Sequence, residues 1–90
     1  MKEDFFNSLQ QKLDDQCEWP HVYMFKFIIP ADNQKLALVE SLFGEEAVIT
    51  TRQSSSNKFI SITAKELMLN SDEIITIYKK ATKIEGIMSF

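Results

Sequence analysis

Hydroxyl and basic side chains are concentrated in one short stretch, SSSNKFISIT at residues 54–63. Three serines in a row, with Arg52 before them and Lys58 after them, could hold a small anion through charged side chains and turn amides. The same residues could instead form only a hairpin loop, because serine and asparagine side chains readily bond the local backbone. The candidate ligand-binding residues are Arg52, Ser54, Ser55, Asn57 and Lys58.

These serines lack the surroundings of a catalytic nucleophile. A serine nucleophile needs a base and a sharp turn such as G-x-S-x-G, and the single histidine, His21, lies a strand away. The phosphate-loop pattern G-x-x-x-x-G-K-[ST] is absent from the sequence. The neighbouring acids at 14–15 and 45–46 point apart, so neither pair suits general acid-base catalysis. We expect the protein not to be an enzyme.

Cys17 and His21, with the aspartates at 14–15, are the residues that could ligate a metal ion. Zinc prefers three or four well-placed ligands, and the Trp-Pro pair at 19–20 separates the two best candidates. We expect Cys17 to pack against the core and His21 to lie on the surface. No metal and no other cofactor is predicted.

Composition indicates one domain in the cytoplasm. Ninety residues leave no room for a second core, and 44% hydrophobic with 26% charged residues is typical of a soluble protein. A single cysteine excludes an intramolecular disulfide, and no apolar run approaches the roughly 20 residues of a membrane span. The net charge of −3 and the single arginine disfavour nucleic-acid binding.

Hydrophobic periodicity predicts the elements that position these residues. Alternation of apolar and polar residues indicates strands, and apolar residues three to four apart indicate helices. The predicted helices span residues 3–16, 33–43 and 71–83, and the predicted strands span 22–29, 47–53, 57–69 and 86–90. Asp32 and Asn70 are expected to cap the second and third helices at their starts, and Gly44 to cap the second at its end.

The predicted order is one helix followed by β-α-β-β-α-β. This order predicts an α+β, ferredoxin-like fold, in which a four-stranded antiparallel sheet carries two helices on one face. Residues 1–18 would form an N-terminal helical extension, and residues 19–90 a single domain.

The sheet face opposite the helices is the second candidate site. Met24, Lys26, Phe59 and Ser61 are expected there, on the two central strands. Exposed aromatic residues at such positions stack bases in RNA-recognition domains of the same topology. The alternative is that the N-terminal helix or a second subunit covers this face.

Several short motifs occur in an order that is similar to the YbeD-like family. They are WP at 19–20, FKF at 25–27, the series Ser54-Ser55-x-Asn57-x-Phe59-x-Ser61-Ile62, and Tyr78 in the last helix. The resemblance implies a small bacterial protein of unknown function with a fold like ACT regulatory domains. Two glycines favoured by the family are replaced, one by Asn57 and one by the loop IIPAD, which counts against an inherited amino-acid site at that loop.

We therefore expect a regulatory or protein-interaction module that acts through a sheet edge or the open sheet face. Its partner would be another protein or a second copy of the chain. The alternative is a sensor that binds an amino acid or small anion at the hairpin, and RNA binding through Phe59 and Lys26 is less expected. No membrane contact is predicted.

Overall fold

The computed structural model describes residues 2–90. Three helices and four strands follow one another along the chain. They are α1 (Lys2–Gln16), β1 (His21–Pro30), α2 (Asn33–Glu40), β2 (Val48–Gln53), β3 (Phe59–Met68), α3 (Ser71–Ala81) and β4 (Met88–Ser89). The strands form one antiparallel sheet in the order β2-β3-β1-β4. This arrangement confirms the predicted α+β, ferredoxin-like fold.

The two longest strands, β1 and β3, lie side by side in the middle of the sheet. Alternate residues of β1 are buried, since Phe25, Phe27 and Ile29 are each at most 1% exposed. Antiparallel partners share a sheet face, so the residues opposite them belong to the same core. These partners are Ala64, Ile62 and Ile60.

Asn70 is the N-cap of α3, as the sequence predicted. The Asn70 side chain accepts a hydrogen bond from the Glu73 N–H at 3.0 Å. The Glu73 carboxylate reaches back to the N–H of Leu69 at 2.8 Å. Caps of this kind stabilise a helix by about 1 kcal/mol. α3 buries a stripe of residues three to four apart, namely Ile74, Ile77, Tyr78 and Ala81.

The second helix begins where predicted and ends sooner. The Asp32 carboxylate accepts a hydrogen bond from the Gln34 N–H at 2.8 Å, which confirms the N-cap. The last helical residue is Glu40, and the C-cap is Ser41. The predicted C-cap at Gly44 is therefore wrong.

Local hydrogen bonding explains the early end of α2. The Ser41 hydroxyl donates to the Leu38 carbonyl at 2.6 Å, a bond that competes with the helical ladder. The next residues form tighter turns, with Phe43 donating its N–H to the Glu40 carbonyl at 3.2 Å. Phe43 thereby enters the core, where it is 9% exposed.

The N-terminal helix packs on α3. Phe6 is buried, and Leu13 packs against the core two further turns along. The Gln10 side chain donates to the Ser71 hydroxyl at 3.2 Å. The Lys79 ammonium lies 5.6 Å from the centre of the Phe6 ring. All these contacts lie on the helical side, so the predicted alternative that the N-terminal helix covers the opposite face is wrong.

Residues 2–90 include no helix that is both long and apolar enough to cross a bilayer. Within the same range, no three histidine, cysteine, aspartate or glutamate side chains are grouped so that they could hold a metal ion. His21 is exposed at the start of β1, as predicted. Cys17 is half-buried.

Candidate functional site: the open sheet face

The helices pack on one side of the sheet and leave the other side bare. We call this bare side the open face. It consists of Val22, Met24, Lys26 and Ile28 of β1, Val48, Thr50 and Arg52 of β2, Phe59, Ser61, Thr63, Lys65 and Leu67 of β3, and Met88 of β4. All four predicted residues, Met24, Lys26, Phe59 and Ser61, are among these.

Large apolar side chains on the open face are exposed to solvent. Val48, Val22 and Leu67 are 62%, 57% and 53% exposed, and Met24 and Phe59 are close behind. Most single exposed apolar residues need no explanation, but a contiguous apolar area on one face marks an interaction surface. The sequence alternation predicted which residues lie here, and the structure shows that no described element covers them.

Three cations stand among these apolar residues. Lys26, Lys65 and Arg52 are exposed on β1, β3 and β2 respectively. No strand position on the open face holds a carboxylate. The acid on β3, Glu66, pairs with Tyr23 and therefore faces the helical side, and Glu46 lies two residues before β2 begins at Val48. The open face is thus positively charged within a chain of net charge −3.

A groove of about 990 Å³ lies at the edge of β3, between one end of the open face and α3. It forms because β2 begins opposite Lys65, so that the last three residues of β3 extend beyond it. The open face contributes Val22, Val48, Lys65 and Leu67 to its lining, and the acids that line it lie off the open face. These acids are Glu46, Glu66, Asp72 and Glu73. The sequence contained no signal for this groove, because its shape depends on the lengths of strands that pair across the fold.

The serine stretch forms the turn between β2 and β3, as predicted. Asn57 donates its N–H to the Ser54 carbonyl at 2.9 Å, and the Ser54 N–H bonds the Phe59 carbonyl at 2.9 Å. The Ser54 hydroxyl also accepts from the Phe59 N–H at 3.2 Å. Asn57 has a φ of 59°, which confirms that asparagine takes the left-handed position that glycine holds in the family pattern.

The hairpin site for an anion stays a prediction. Arg52 lies on the open face at the end of β2, while Ser55, Asn57 and Lys58 are exposed in the turn. The Ser54 hydroxyl is already engaged within the loop, with the Phe59 N–H and with the Ser56 hydroxyl at 3.3 Å. None of the five predicted residues lines the groove described above.

Replacing Asn57 by valine is expected to destabilise the protein by about 1–2 kcal/mol, because a β-branched residue is strained in the left-handed region. Asn57→Gly should be neutral or slightly stabilising. Chemical denaturation of both variants measures the difference. Ser55→Val is the matched control, since Ser55 lies in the same turn without a positive φ. Equal losses from both valines would show that the backbone of Asn57 is not the cause.

Two tyrosines form a partly buried hydrogen bond on the helical side. The hydroxyls of Tyr23 on β1 and Tyr78 on α3 are 3.0 Å apart. Burial, together with the hydrogen bond from Tyr23, raises the pKa of the Tyr78 hydroxyl well above its ordinary value. Tyr78 therefore stays neutral near pH 7, and its hydroxyl joins α3 to β1 through the bond with Tyr23. The sequence analysis placed Tyr78 in the last helix and did not predict its hydrogen bond with Tyr23.

Tyr78→Phe is expected to lower the free energy of unfolding by about 1 kcal/mol at pH 7 through loss of this hydrogen bond. In the native protein, the stabilising contribution of neutral Tyr78 is fully present below the unfolded pKa of about 10 and is lost as the pH rises above it. Tyr78→Phe has no hydroxyl to ionise and lacks this loss at high pH. The difference in the free energy of unfolding between the native protein and Tyr78→Phe should therefore shrink from pH 9 to pH 11. Urea unfolding across this range measures the gap, with Tyr23→Phe as the control that keeps Tyr78. A constant gap would contradict the assignment.

The chain matches the family described as "Protein of unknown function (DUF493)" over residues 14–90. The UPF0250 protein of Shewanella putrefaciens (strain CN-32 / ATCC BAA-453) is 28% identical over 83 residues, which cover 88% of this chain and 94% of that protein. No solved structure matches the chain significantly. YbeD is a member of this same family, which confirms the resemblance seen in the motifs. The chain therefore belongs to the DUF493 family.

Proposed function

We propose that this chain is a non-enzymatic, regulatory protein-interaction module that docks its partner on the open face. One observation supports the proposal above all others. Of the ten large apolar residues that are exposed in the described chain, six lie on the open face. Phe90 extends the surface past β4, where its N–H bonds the Lys26 carbonyl at 3.0 Å.

Energetics favour a partner on this surface. Covering apolar area yields about 25 cal/mol per Å², so a bare sheet face is an unused source of binding free energy. The core on the other side is already complete without it, since Phe25, Phe27 and Ile29 are buried by the helices. These exposed residues therefore contribute little to folding and can serve an interaction.

Other parts of the chain support a binding role more than a catalytic one. Burial and the hydrogen bond with Tyr23 raise the pKa of the Tyr78 hydroxyl, and the hydroxyls of Ser54 and Ser56 in the hairpin bond within their own loop. We place the module in the cytoplasm, because its single cysteine is half-buried and takes part in no disulfide. The partner is a different protein or a second copy of the chain.

Polar substitutions on the open face test this function. In Met24→Ser with Leu67→Ser, both changed residues are exposed and lie on adjacent strands. The matched control is Leu38→Ser on α2, where a leucine is 52% exposed on the helical side. Each protein is used to capture partners from an extract of the source cell, and light scattering measures self-association.

The expected result is a partner, or a dimer, that the native chain and Leu38→Ser retain and the open-face variant loses. Thermal stability should be nearly the same in all three proteins, because none of the changed side chains is buried. Retention of every captured protein and of the oligomeric state by the open-face variant would reject the open face as a docking surface.

A further inference from the structure

We infer that the open face receives an acidic protein segment that also carries apolar side chains. This inference rests on the proposed function, because it names the chemistry of the partner that the docking surface accepts. It draws on the charge of the face, the spacing of its cations and the kind of side chain between them.

The charge of the open face is opposite to that of the chain. Lys26, Arg52 and Lys65 are exposed there without a carboxylate on any strand position, while the net charge is −3. Interfaces are arranged so that opposite charges meet, since a cation that loses its water without a partner is costly. An acidic partner is attracted by this face and repelled by the rest of the surface. Charge thus directs such a partner to the open face.

Strand geometry gives the spacing of the three cations. Lys65 lies opposite Met24, two residues from Lys26, which places the Cα atoms of the two lysines about 8 Å apart. Arg52 lies opposite Ser61, and its Cα is about 12 Å from that of Lys26. The three cations form a triangle, because Arg52 and Lys65 are about 14 Å apart and Lys26 lies about 7 Å to one side of the line between them. Carboxylates at positions i, i+4 and i+8 of a helix span about 12 Å along the axis, which nearly matches the distance from Lys65 to Arg52. The long side chain of Lys26 can reach the middle carboxylate from the side, so one row of acids can pair with all three cations.

The side chains around the cations fit a protein better than a nucleic acid. Met24 and Ile28 flank Lys26 along β1, and neither can stack on a base as an aromatic ring does. Of the exposed aromatic residues here, only Phe59 lies on a central strand, at the first residue of β3, and Phe90 lies beyond the edge strand β4. Base-stacking platforms carry several aromatic residues on the central strands and stack two or three bases on them. Aliphatic side chains pack instead against apolar residues of a protein segment.

The same charges disfavour a second copy stacked face to face. Such a dimer would bring two sets of Lys26, Arg52 and Lys65 into one interface with no carboxylate from either face to pair them. Like charges in a desolvated interface cost free energy. The occupant is therefore a different protein segment.

Selection from a library of random peptides displayed on phage tests this inference on the full chain. Selected peptides are synthesised, their affinities are measured, and their sites are mapped from backbone amide shifts in NMR spectra. The test variant carries Lys26→Glu, Arg52→Glu and Lys65→Glu. The control carries Lys12→Glu, Lys80→Glu and Lys83→Glu, an equal change of charge at exposed positions of the helical side. A variant with glutamine at the three open-face positions keeps the test valid if the glutamates impair folding.

We expect selected peptides to be rich in acids and apolar residues and to shift the amides of the open face. Their affinity should fall roughly 10- to 100-fold in the open-face glutamate variant, because three favourable charge pairs become unfavourable. The glutamine variant should lose less, and the control variant should bind as the native chain does. Binding should also weaken as salt is added.

Other outcomes would overturn the inference in distinguishable ways. Peptides that map to the open face without enrichment in acids would reject the acidic partner and leave the docking function intact. Binding of single-stranded poly(U) at the open face in place of acidic peptides would assign the face to RNA. Self-association that the open-face glutamates abolish would make a second copy the occupant. Peptides that bind only elsewhere, or no selected peptide at all, would reject both the acidic partner and the docking surface.

Discussion

Phe25→Ala is expected to destabilise the protein by about 3–5 kcal/mol, a large share of the 5–15 kcal/mol that typically holds a domain folded. The Phe25 ring is 0% exposed at the centre of β1. It lies 4.7 Å from the Tyr23 ring, 5.2 Å from that of Phe43 and 5.4 Å from that of Tyr78, measured between ring centres. Truncation would leave a cavity between the sheet, α3 and the turn after α2, which those three rings cannot fill together.

Thermal and chemical unfolding measure this loss. At the entropy of a domain of this size, the midpoint of thermal unfolding should fall by roughly 15 °C or more. Phe59→Ala is the matched control, because Phe59 is a phenylalanine of the neighbouring strand on the opposite face, 43% exposed. Its expected cost is below about 1 kcal/mol. Similar losses at the two positions would mean that the open face is as much a part of the core as the helical side.

This contrast between faces also shows what the sequence could predict. A two-residue period in a strand assigns alternate side chains to opposite faces, so Phe25 and Phe59 could be separated from the sequence. The helical spacing of Ile74, Ile77, Tyr78 and Ala81 could equally be recognised from the sequence. Both patterns are local, and the fold class follows from their order along the chain.

The features that the sequence analysis did not predict depend on hydrogen bonds and packing that residue types alone do not specify. The end of α2 at Ser41 depends on a hydroxyl bond and on the burial of Phe43. The glycine at 44 instead favoured a later C-cap. The Tyr23–Tyr78 bond joins residues 55 apart in the chain. For the candidate site, the sequence predicted which residues share the open face, but only the packing of α1 on α3 shows that the face is left bare.

The charge of the open face could be derived from the sequence but was not. Lys26, Arg52 and Lys65 are far apart along the chain, and each was considered separately or not at all. Once the register places Lys65 beside Met24 and Arg52 beside Ser61, they become one surface. The three cations form one site because of the pairing register of the strands, which composition does not provide.

Gly86→Ala is expected to destabilise the protein by about 2–4 kcal/mol. Gly86 has a φ of 82° and is the third residue of a turn that the Ile87 N–H closes by bonding the Ile84 carbonyl at 3.3 Å. A type II turn requires this positive φ, and a side chain there costs about 1–2 kcal/mol. A Cβ would also lie 2.9 Å from Cγ of Pro30, whose ring cannot rotate away, which adds a packing cost of about 1–3 kcal/mol.

Gly44→Ala is the matched control for Gly86→Ala. Its Cβ would lie 2.7 Å from a carboxylate oxygen of Glu66, which is the free end of a flexible side chain. Gly44 has no positive φ, so only the hydrogen bond from its N–H to Glu66 is put at risk, at a cost of about 1 kcal/mol. The free energies of unfolding of the two variants, measured in urea, should therefore differ clearly.

The position of Gly86 gives its substitution a second readout. The turn leads directly into β4, which pairs with β1 through Ile28–Met88 and Phe27–Ser89. If the turn is strained, this two-residue strand should detach before the rest of the sheet unfolds, and the amide of Phe90 should lose its protection from hydrogen exchange. If Gly86→Ala loses the full expected stability while the Phe90 amide stays protected, the strain spreads to α3. If Gly86→Ala and Gly44→Ala are equally stable, the Pro30 contact and the positive φ carry no cost.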